Sequence, residues 1–214
     1  MTIKLTTTSE LTAYLKSSKV IDFDNPKVQT MSKQLADGLN SDIDIAKSCF
    51  EFVLNKIEHS VDYKRNGKSC TASDVLQLGH GFCYAKSHLL VALLRANNIP
   101  AGLCYQRLMT SDKPNANGKF EYCLHGLAAV HLPKIKSLKG NNGWYRIDPR
   151  GNKAGIFAKF DPPTEQLAYH VTHVNEKDFP QIFAEPLSCV VNRLSQFDDY
   201  QELTNNLPDL KVLI

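Results

Sequence analysis

Much of what this chain of 214 residues could be is excluded by what it does not contain. Nowhere do about 18 apolar residues follow one another, and the opening MTIKLTTTSELTAYLK holds no apolar run of signal-peptide length. A cytoplasmic protein without a membrane partner is the expectation. There is no basic block either: 25 Lys and Arg are spread among 22 Asp and Glu, for a formal charge of +3, so nucleic acid is not an expected partner. CxxC pairs are missing, and the six cysteines at 49, 70, 83, 104, 123 and 189 are expected as free thiols rather than disulfides. Repeats, low-complexity tracts and long linkers are absent too, which favours one domain over 1–214.

What is present is 43% apolar and 22% charged residues, the composition of a globular chain with a full core. Ser9 is placed to cap a short helix through Leu11, Tyr14 and Leu15, and Val28, Met31, Leu35 and Leu39 recur at helical spacing after a turn. Ser41 precedes an amphipathic stripe, Ile43, Ala46, Cys49, Phe50, Val53, Leu54 and Ile57. Asp42 and Asp44 at its start and Lys56 at its end suit the helix dipole. Residues 59–69 read as a polar loop, and Thr71 or Ser73 can cap a short helix over 74–78. After Pro100 the pattern changes. Strands are expected at 103–109, 124–132 and 144–148, with weaker strand signals at 157–160 and 166–174, a strand or helix at 187–194, and a loop with short helical pieces beyond 198. Helices over about 1–99 and strands over about 100–195 make an α+β pattern, a helical layer packed on a small antiparallel sheet.

Residues 76–107, LQLGHGFCYAKSHLLVALLRANNIPAGLCYQR, place Cys83 after two glycines and before Leu89, Leu90, Leu93 and Leu94 at helical spacing. A thiol in the first turn of a buried helix sits where the peptide dipoles favour a thiolate. An inert buried cysteine is equally at home there, so the reading depends on a base. Of seven histidines, His125 opens the second strand, and Asp148 closes the third. If Leu132 pairs near Gly143, His125 and Leu127 lie across from Arg150 and Asp148, within side-chain reach; a slip of one residue separates them. Cys83 is expected to be catalytic if both side chains face its helix.

Three motifs, GHGFCYAKSHLLVALLRANNIPAGLCYQ at 79–106, His125-Gly126 on a strand, and Gly143-Trp144-Tyr145-Arg146-Ile147-Asp148-Pro149, resemble the successive signatures of the transglutaminase-like superfamily over roughly residues 70–150. The chain is similar in particular to small bacterial members assigned as cysteine proteases. The resemblance implies a papain-like core with Cys83 as nucleophile, His125 as general base and acid, and Asp148 as its orienter. Two positions depart from it. Gly126-Leu127 stand where an aromatic is often found, and Arg150 follows Asp148-Pro149 in place of Thr; both bear on the substrate groove. The implied activity is on a peptide or protein amide through an acyl-enzyme, resolved by water in hydrolysis or by an amine in acyl transfer. The alternative is a non-catalytic module that binds peptide or protein on the same fold. For the oxyanion the Cys83 backbone N–H is the first donor. Gln77, six residues ahead of the cysteine as the glutamine of papain-type enzymes is, and Tyr105 and Gln106 on the first strand are candidates for the second.

The remaining groups read as structural. His80 is expected in a turn, His88 packed or partly exposed, and His131 too far along its strand; His170 and His173 are spaced so that a strand would not bring them to one face. No metal or cofactor is expected, and the scattered acidic positions disfavour a calcium-dependent transglutaminase. Arg146 is placed either to act on the Asp148 carboxylate or to sit at a solvated edge, and Lys86 is expected in solvent.

Overall fold

The structure is a computed structural model that describes residues 3–213. β1 (Thr6–Thr7) and a 3₁₀ turn at Leu11–Leu15 lead to α1 (Pro26–Ala36), capped by Asn25. In α2 (Asp42–Lys56) the Ser41 hydroxyl accepts the Asp44 N–H at 3.1 Å, as its sequence predicts. The 3₁₀ turn starts from Glu10 without a side-chain cap, so Ser9 does not cap it; with Tyr14 as its one buried side chain it has no apolar stripe to hold an α-helix.

The loop expected after α2 contains β2 (Glu58–His59) and α3 (Ser60–Tyr63). Next comes α4 (Ala72–Leu78), closed by a Thr71–Asp74 capping box and ended by Gly79 at φ +72°, a left-handed turn that suits glycine. β3 (His80–Gly81) runs parallel to β2, with Gly81 opposite His59. The backbone just ahead of Cys83 is thereby pinned to the segment that follows α2.

α5 (Cys83–Ala96) is buried along its whole circumference, between α1, α2 and α4 on one side and the sheet on the other. A helix that is covered all round is a core element rather than a surface stripe. Lys86 lies in this interior, not in solvent, and its Nζ donates to the Ile57 carbonyl at 2.5 Å. Burial, reinforced by Arg150, pushes Lys86 down to about 7. The folded value is below the unfolded one, so the penalty for housing this amine is full below about pH 7 and fades as pH rises toward the unfolded lysine value. Lys86→Met is therefore expected to stabilise the fold by on the order of a few kcal/mol at about pH 6 and much less at about pH 10. Urea unfolding at both pH values checks this; a variant less stable than wild type at the lower pH contradicts it.

β4 (Ala101–Met109), β5 (Tyr122–His131), β6 (Trp144–Ile147) and β7 (Lys177–Asp178) form an antiparallel sheet in the order β6-β5-β4-β7. Ala128 lies opposite Ile147, and the Leu132 N–H donates to the Gly143 carbonyl at 2.7 Å, which is the register that the sequence reading required. The stretches at 157–160 and 166–174 are not strands; a single Lys159–Gln166 bridge is all that forms there, and the fourth strand is β7 instead. β8 (Gln181–Ile182) pairs with β1, and the chain ends in α6 (Ser188–Gln196), the helical option for 187–194, and α7 (Tyr200–Thr204). Among the described residues no helix is long and apolar enough to cross a membrane.

Side-chain alternation gives the sheet two faces. Leu124, Ala128 and Val130 of β5, Leu103 and Tyr105 of β4, and Tyr145 and Ile147 of β6 share a core with α5. Leu127, Ala129, Cys104 and Trp144 pack against Leu5, Tyr14 and Ile182 on the other face.

Candidate active site

β6 stops at Ile147, so β5 keeps a free edge around Leu124 to Gly126. An open edge presents unpaired backbone groups, and here three of them have found partners. The Leu124 N–H donates to the Pro208 carbonyl at 2.7 Å, the Tyr84 hydroxyl donates to the Leu124 carbonyl, and the Gly126 N–H points at Cys83 Sγ at 3.5 Å. The N-terminus of α5 thus docks edge-on against β5. Glycine at 126 makes the approach possible, because a Cβ there would lie 2.6 Å from Tyr84 Cδ1 and 3.0 Å from Tyr84 Cα.

His125 continues the alternation of Leu127 and Ala129 along β5, and its ring interacts with both Asp148 and Cys83. Cys83 meets the His125–Asp148 pair across the strand edge, which the short β6 leaves open. His125 Nε2 lies 2.8 Å from Asp148 Oδ2, in the register that places Leu127 across from Asp148. Asp148 has no exposure and also accepts the Arg150 and Ala168 N–H groups, each at 3.1 Å. Burial alone would raise its carboxyl, but the His125 ring and these donors hold it below the ordinary value. Burial likewise opposes an imidazolium at His125, yet Asp148 and Cys83 outweigh it and raise the ring to about 10. With Nε2 given to Asp148, Nδ1 is left to face the sulfur, a tautomer assigned from the hydrogen bonds.

Cys83 itself is 8% exposed and is the first residue of α5, whose N-cap, Phe82, brings no capping side chain. The first-turn N–H groups are therefore not claimed by a cap and remain for a ligand. Cys83, His125, His59, Arg150 and Tyr169 all line an open groove of about 1350 Å³. Farther out, Phe120 and the fully exposed Val174 stand on flanking loops, and Leu207, Asp209 and Lys211 form another part of the wall. That part is tied down by Arg107, which grips Asp209 through two hydrogen bonds of 2.6 and 2.7 Å.

None of the three candidates for a second oxyanion donor lines the groove. Gln77 is on the exposed side of α4 and accepts from Lys27 Nζ at 3.2 Å, away from the groove. Tyr105 faces the α5 core, where its hydroxyl accepts the Leu187 N–H at 3.2 Å. Gln106 lies directly across the ladder from His125, but its amide nitrogen donates to Asp178 at 2.9 Å and to the Tyr169 carbonyl at 3.3 Å. It holds Tyr169, whose ring meets that of His125 edge-on at 4.9 Å between centroids. Arg146 binds Glu165 and Asp178, not Asp148.

His80 Nδ1 is 3.1 Å from the Ser60 hydroxyl, and His88 is fully buried with Nδ1 at 2.8 Å from the Cys70 carbonyl. His131 Nε2 is 3.0 Å from the Asn142 carbonyl. Among the described residues no group of three His, Cys, Asp or Glu could hold a metal ion. Sequence reasoning missed His59 as a site residue, and no periodicity marks it: β2 is two residues long and lies in what reads as a polar loop.

The sequence profile of the transglutaminase-like superfamily matches residues 29–149, reaching well ahead of the stretch at 70–150 that carries the resemblance. None of the curated proteins matches the chain at a significant level. Among solved structures, a "Putative Cysteine Protease from Cytophaga hutchinsonii" is 20% identical with a TM-score of 0.43, over 65% of this chain and 42% of that one. The periplasmic domain of TgpA from Pseudomonas aeruginosa is 15% identical with a TM-score of 0.45, over 66% of this chain and 48% of that one. This chain thus covers less than half of either structure. The profile match, by contrast, takes in more than half of the sequence, and the chain belongs to the transglutaminase-like superfamily.

Proposed function

We propose that this protein is a thiol enzyme that acts on peptide or protein amides through an acyl-enzyme on Cys83. The observation that carries the reading is the His125–Asp148 pair, 2.8 Å apart and buried, beside a cysteine in the first turn of α5. His125 takes the thiol proton at Nδ1, the sulfur attacks the carbonyl carbon, and the oxyanion forms at the α5 N-terminus. Collapse of the tetrahedral intermediate breaks the C–N bond, and His125 protonates the departing amine. Water or a second amine then displaces the sulfur. Peptide hydrolysis is the preferred outcome over acyl transfer. A scaffold that only binds peptide would have no use for a buried carboxylate that holds the histidine in one tautomer, which favours the enzyme over the binding module.

Iodoacetamide followed by peptide mass mapping tests the nucleophile. Burial pushes Cys49, Cys104 and Cys123 up to about 12 and also raises Cys70 and Cys189, so these five are expected to react slowly near neutral pH. Cys83 is expected to label first. Labelling at Cys83 no faster than at the other cysteines would overturn the reading. Cys83→Ala is expected to abolish turnover of a peptide and glutamine-donor library supplied with an amine, and identical product patterns from variant and wild type would do the same.

A further inference from the structure

Besides His125, the histidines His59, His170 and His173 line the groove, and of these three only His59 is buried. His59 is 8% exposed, and its position follows from the β2–β3 pairing that sets it opposite Gly81, two residues ahead of Cys83. Its ring packs against Phe82, 5.9 Å between centroids, and lines the same groove as Cys83 and His125. Nδ1 is buried without a hydrogen-bond partner, an arrangement that folded proteins rarely leave without purpose. Asp62 Oδ2 lies 3.7 Å from Nδ1, too long for a hydrogen bond but close enough to favour the tautomer with the proton on Nδ1. Asp62 cannot swing closer. Arg150 holds its two oxygens at 2.6 and 3.1 Å and Lys153 binds one of them at 2.6 Å. The Nε2 lone pair is then the ring's free polar site.

We propose that His59 is a second base in this site, taking a proton from the water or amine that resolves the acyl-enzyme. The role presupposes the thiol-enzyme reading. As the acceptor's oxygen or nitrogen bonds to the thioester carbon, Nε2 of neutral His59 receives the acceptor's proton. The tetrahedral intermediate collapses, the C–S bond breaks with its electron pair on the Cys83 sulfur, and His59 passes its proton to solvent through the groove. The Cys83–His125 pair takes one proton back from solvent, so each hydrolytic cycle consumes one water and leaves the enzyme unchanged.

The environments of the two histidines divide the work in the way that acid and base partners require. Asp148 and the sulfur favour the cation at His125, which fits it to protonate a leaving amine. At His59 burial, then Arg150, with Lys86 and His125 adding to them, outweigh Asp62 and hold the ring well below an ordinary histidine, so it is neutral and ready to accept a proton. Tyr169, edge-on to the His125 ring, and Arg150, whose guanidinium is 5.9 Å from the Tyr169 ring centre, line the groove beside both histidines.

p-Nitrophenyl acetate separates the two half-reactions without knowledge of the natural substrate. Nitrophenol release reports acetylation of Cys83, and intact-protein mass spectrometry reports loss of the acetyl group. In His59→Gln, acetylation is expected to stay within a few-fold of wild type while deacetylation slows on the order of 10²-fold, so that acetyl-Cys83 accumulates. Deacetylation at the wild-type rate would overturn the proposal. An equal loss in both steps would overturn it as well, since that is the signature of an oxyanion donor or of a displaced cysteine. If His59→Gln does not fold, the pH dependence of wild-type deacetylation decides: a base titrating below the ordinary histidine range is expected, and a rate that climbs through that range or above it refutes the assignment. No acetylation of wild-type Cys83 at all would remove the thiol-enzyme reading itself, an outcome distinct from rapid deacetylation in the variant.

Discussion

Asp148→Asn is expected to slow acylation of Cys83 by on the order of 10³–10⁴-fold while the chain still folds. The side chain keeps its shape, but an amide in place of the carboxylate changes what His125 is told to do. The carboxylate accepts from His125 Nε2 at 2.8 Å and from the Arg150 and Ala168 N–H groups at 3.1 Å each, so every contact it makes asks for an acceptor. Asparagine supplies one acceptor oxygen and one donor nitrogen. If the oxygen stays with the Arg150 N–H, the NH₂ group takes the place of Oδ2, where it opposes the Ala168 N–H and faces Nε2, driving the imidazole proton to Nδ1, the nitrogen that must receive the thiol proton. Stability is expected to fall by about 1–3 kcal/mol, the cost of one poorly satisfied buried group. The pH dependence of that loss has a definite sign. His125 is raised to about 10 in the fold, so its stabilising contribution is full below the unfolded histidine value and is lost as pH rises through about 10. Asp148 is lowered, so its contribution is present above the unfolded carboxyl value and is lost as pH falls through the folded one. The stability gap between wild type and variant should therefore be widest at about pH 4–6.5 and close on either side. p-Nitrophenyl acetate kinetics and urea unfolding at about pH 5.5 and 10 measure both effects. An unchanged acylation rate would remove Asp148 from the mechanism.

The same pair shows how far local sequence reached. Periodicity located α2, α5 and the β4–β5–β6 meander because each is long enough to repeat its pattern several times. It left the register conditional on Leu132 pairing near Gly143, and the fold adopts that pairing because a hydrophobic face must stay buried. The strand expected at 144–148 ends one residue past β6, so the open edge of β5 beside Gly126 is legible as well. A longer β6 would cover the edge at Gly126 and leave Cys83 to approach only from the helix face. What no local pattern supplies is the docking of the α5 N-terminus beside that edge, which brings Cys83 to the His125–Asp148 pair. β2, β3, β7 and β8 have two residues each and no alternation to read. His59 stands on one of these, and its burial depends on β3 and Phe82, which are distant in sequence from it. The oxyanion candidates failed differently. Tyr105 and Gln106 are on the expected strand but do not line the groove; Tyr105 accepts from Leu187, and the Gln106 amide nitrogen donates to Asp178 and Tyr169, partners from the part of the chain where sequence signals were weakest.

Gly126→Ala is the second substitution from which a large effect is expected, and it tests the edge-on docking directly. A methyl group at 126 would approach Tyr84 Cδ1 to 2.6 Å, Tyr84 Cα to 3.0 Å and Tyr84 N to 3.3 Å. A side-chain atom can rotate aside, but the backbone atoms belong to the first turn of α5 and cannot move alone. Either β5 bends away or the helix start retreats, and both routes draw Cys83 Sγ from the Gly126 N–H that it meets at 3.5 Å. Overpacking of this kind costs about 1–3 kcal/mol. The larger consequence is on chemistry, where a displacement of about 1 Å can lower rate on the order of 10²-fold. Gly79→Ala is the comparison that isolates this cause: a Cβ there meets nothing within 4 Å, and the variant pays only for its φ of +72°. It is expected to lose about 1 kcal/mol with Cys83 labelling little changed. The departure at 126 from the aromatic often found after the histidine also acquires a physical reading. Tyr84 brings its ring from the helix into the space above Gly126 and ties its hydroxyl to the Leu124 carbonyl, so the aromatic on this side of the site comes from α5 and the strand must be bare to receive it. Iodoacetamide labelling rates at Cys83 in the two glycine variants, measured beside their unfolding free energies, separate loss of alignment from loss of stability. If Gly126→Ala labels as fast as wild type while Gly79→Ala does not, the close contact between β5 and the start of α5 is not what aligns the thiol.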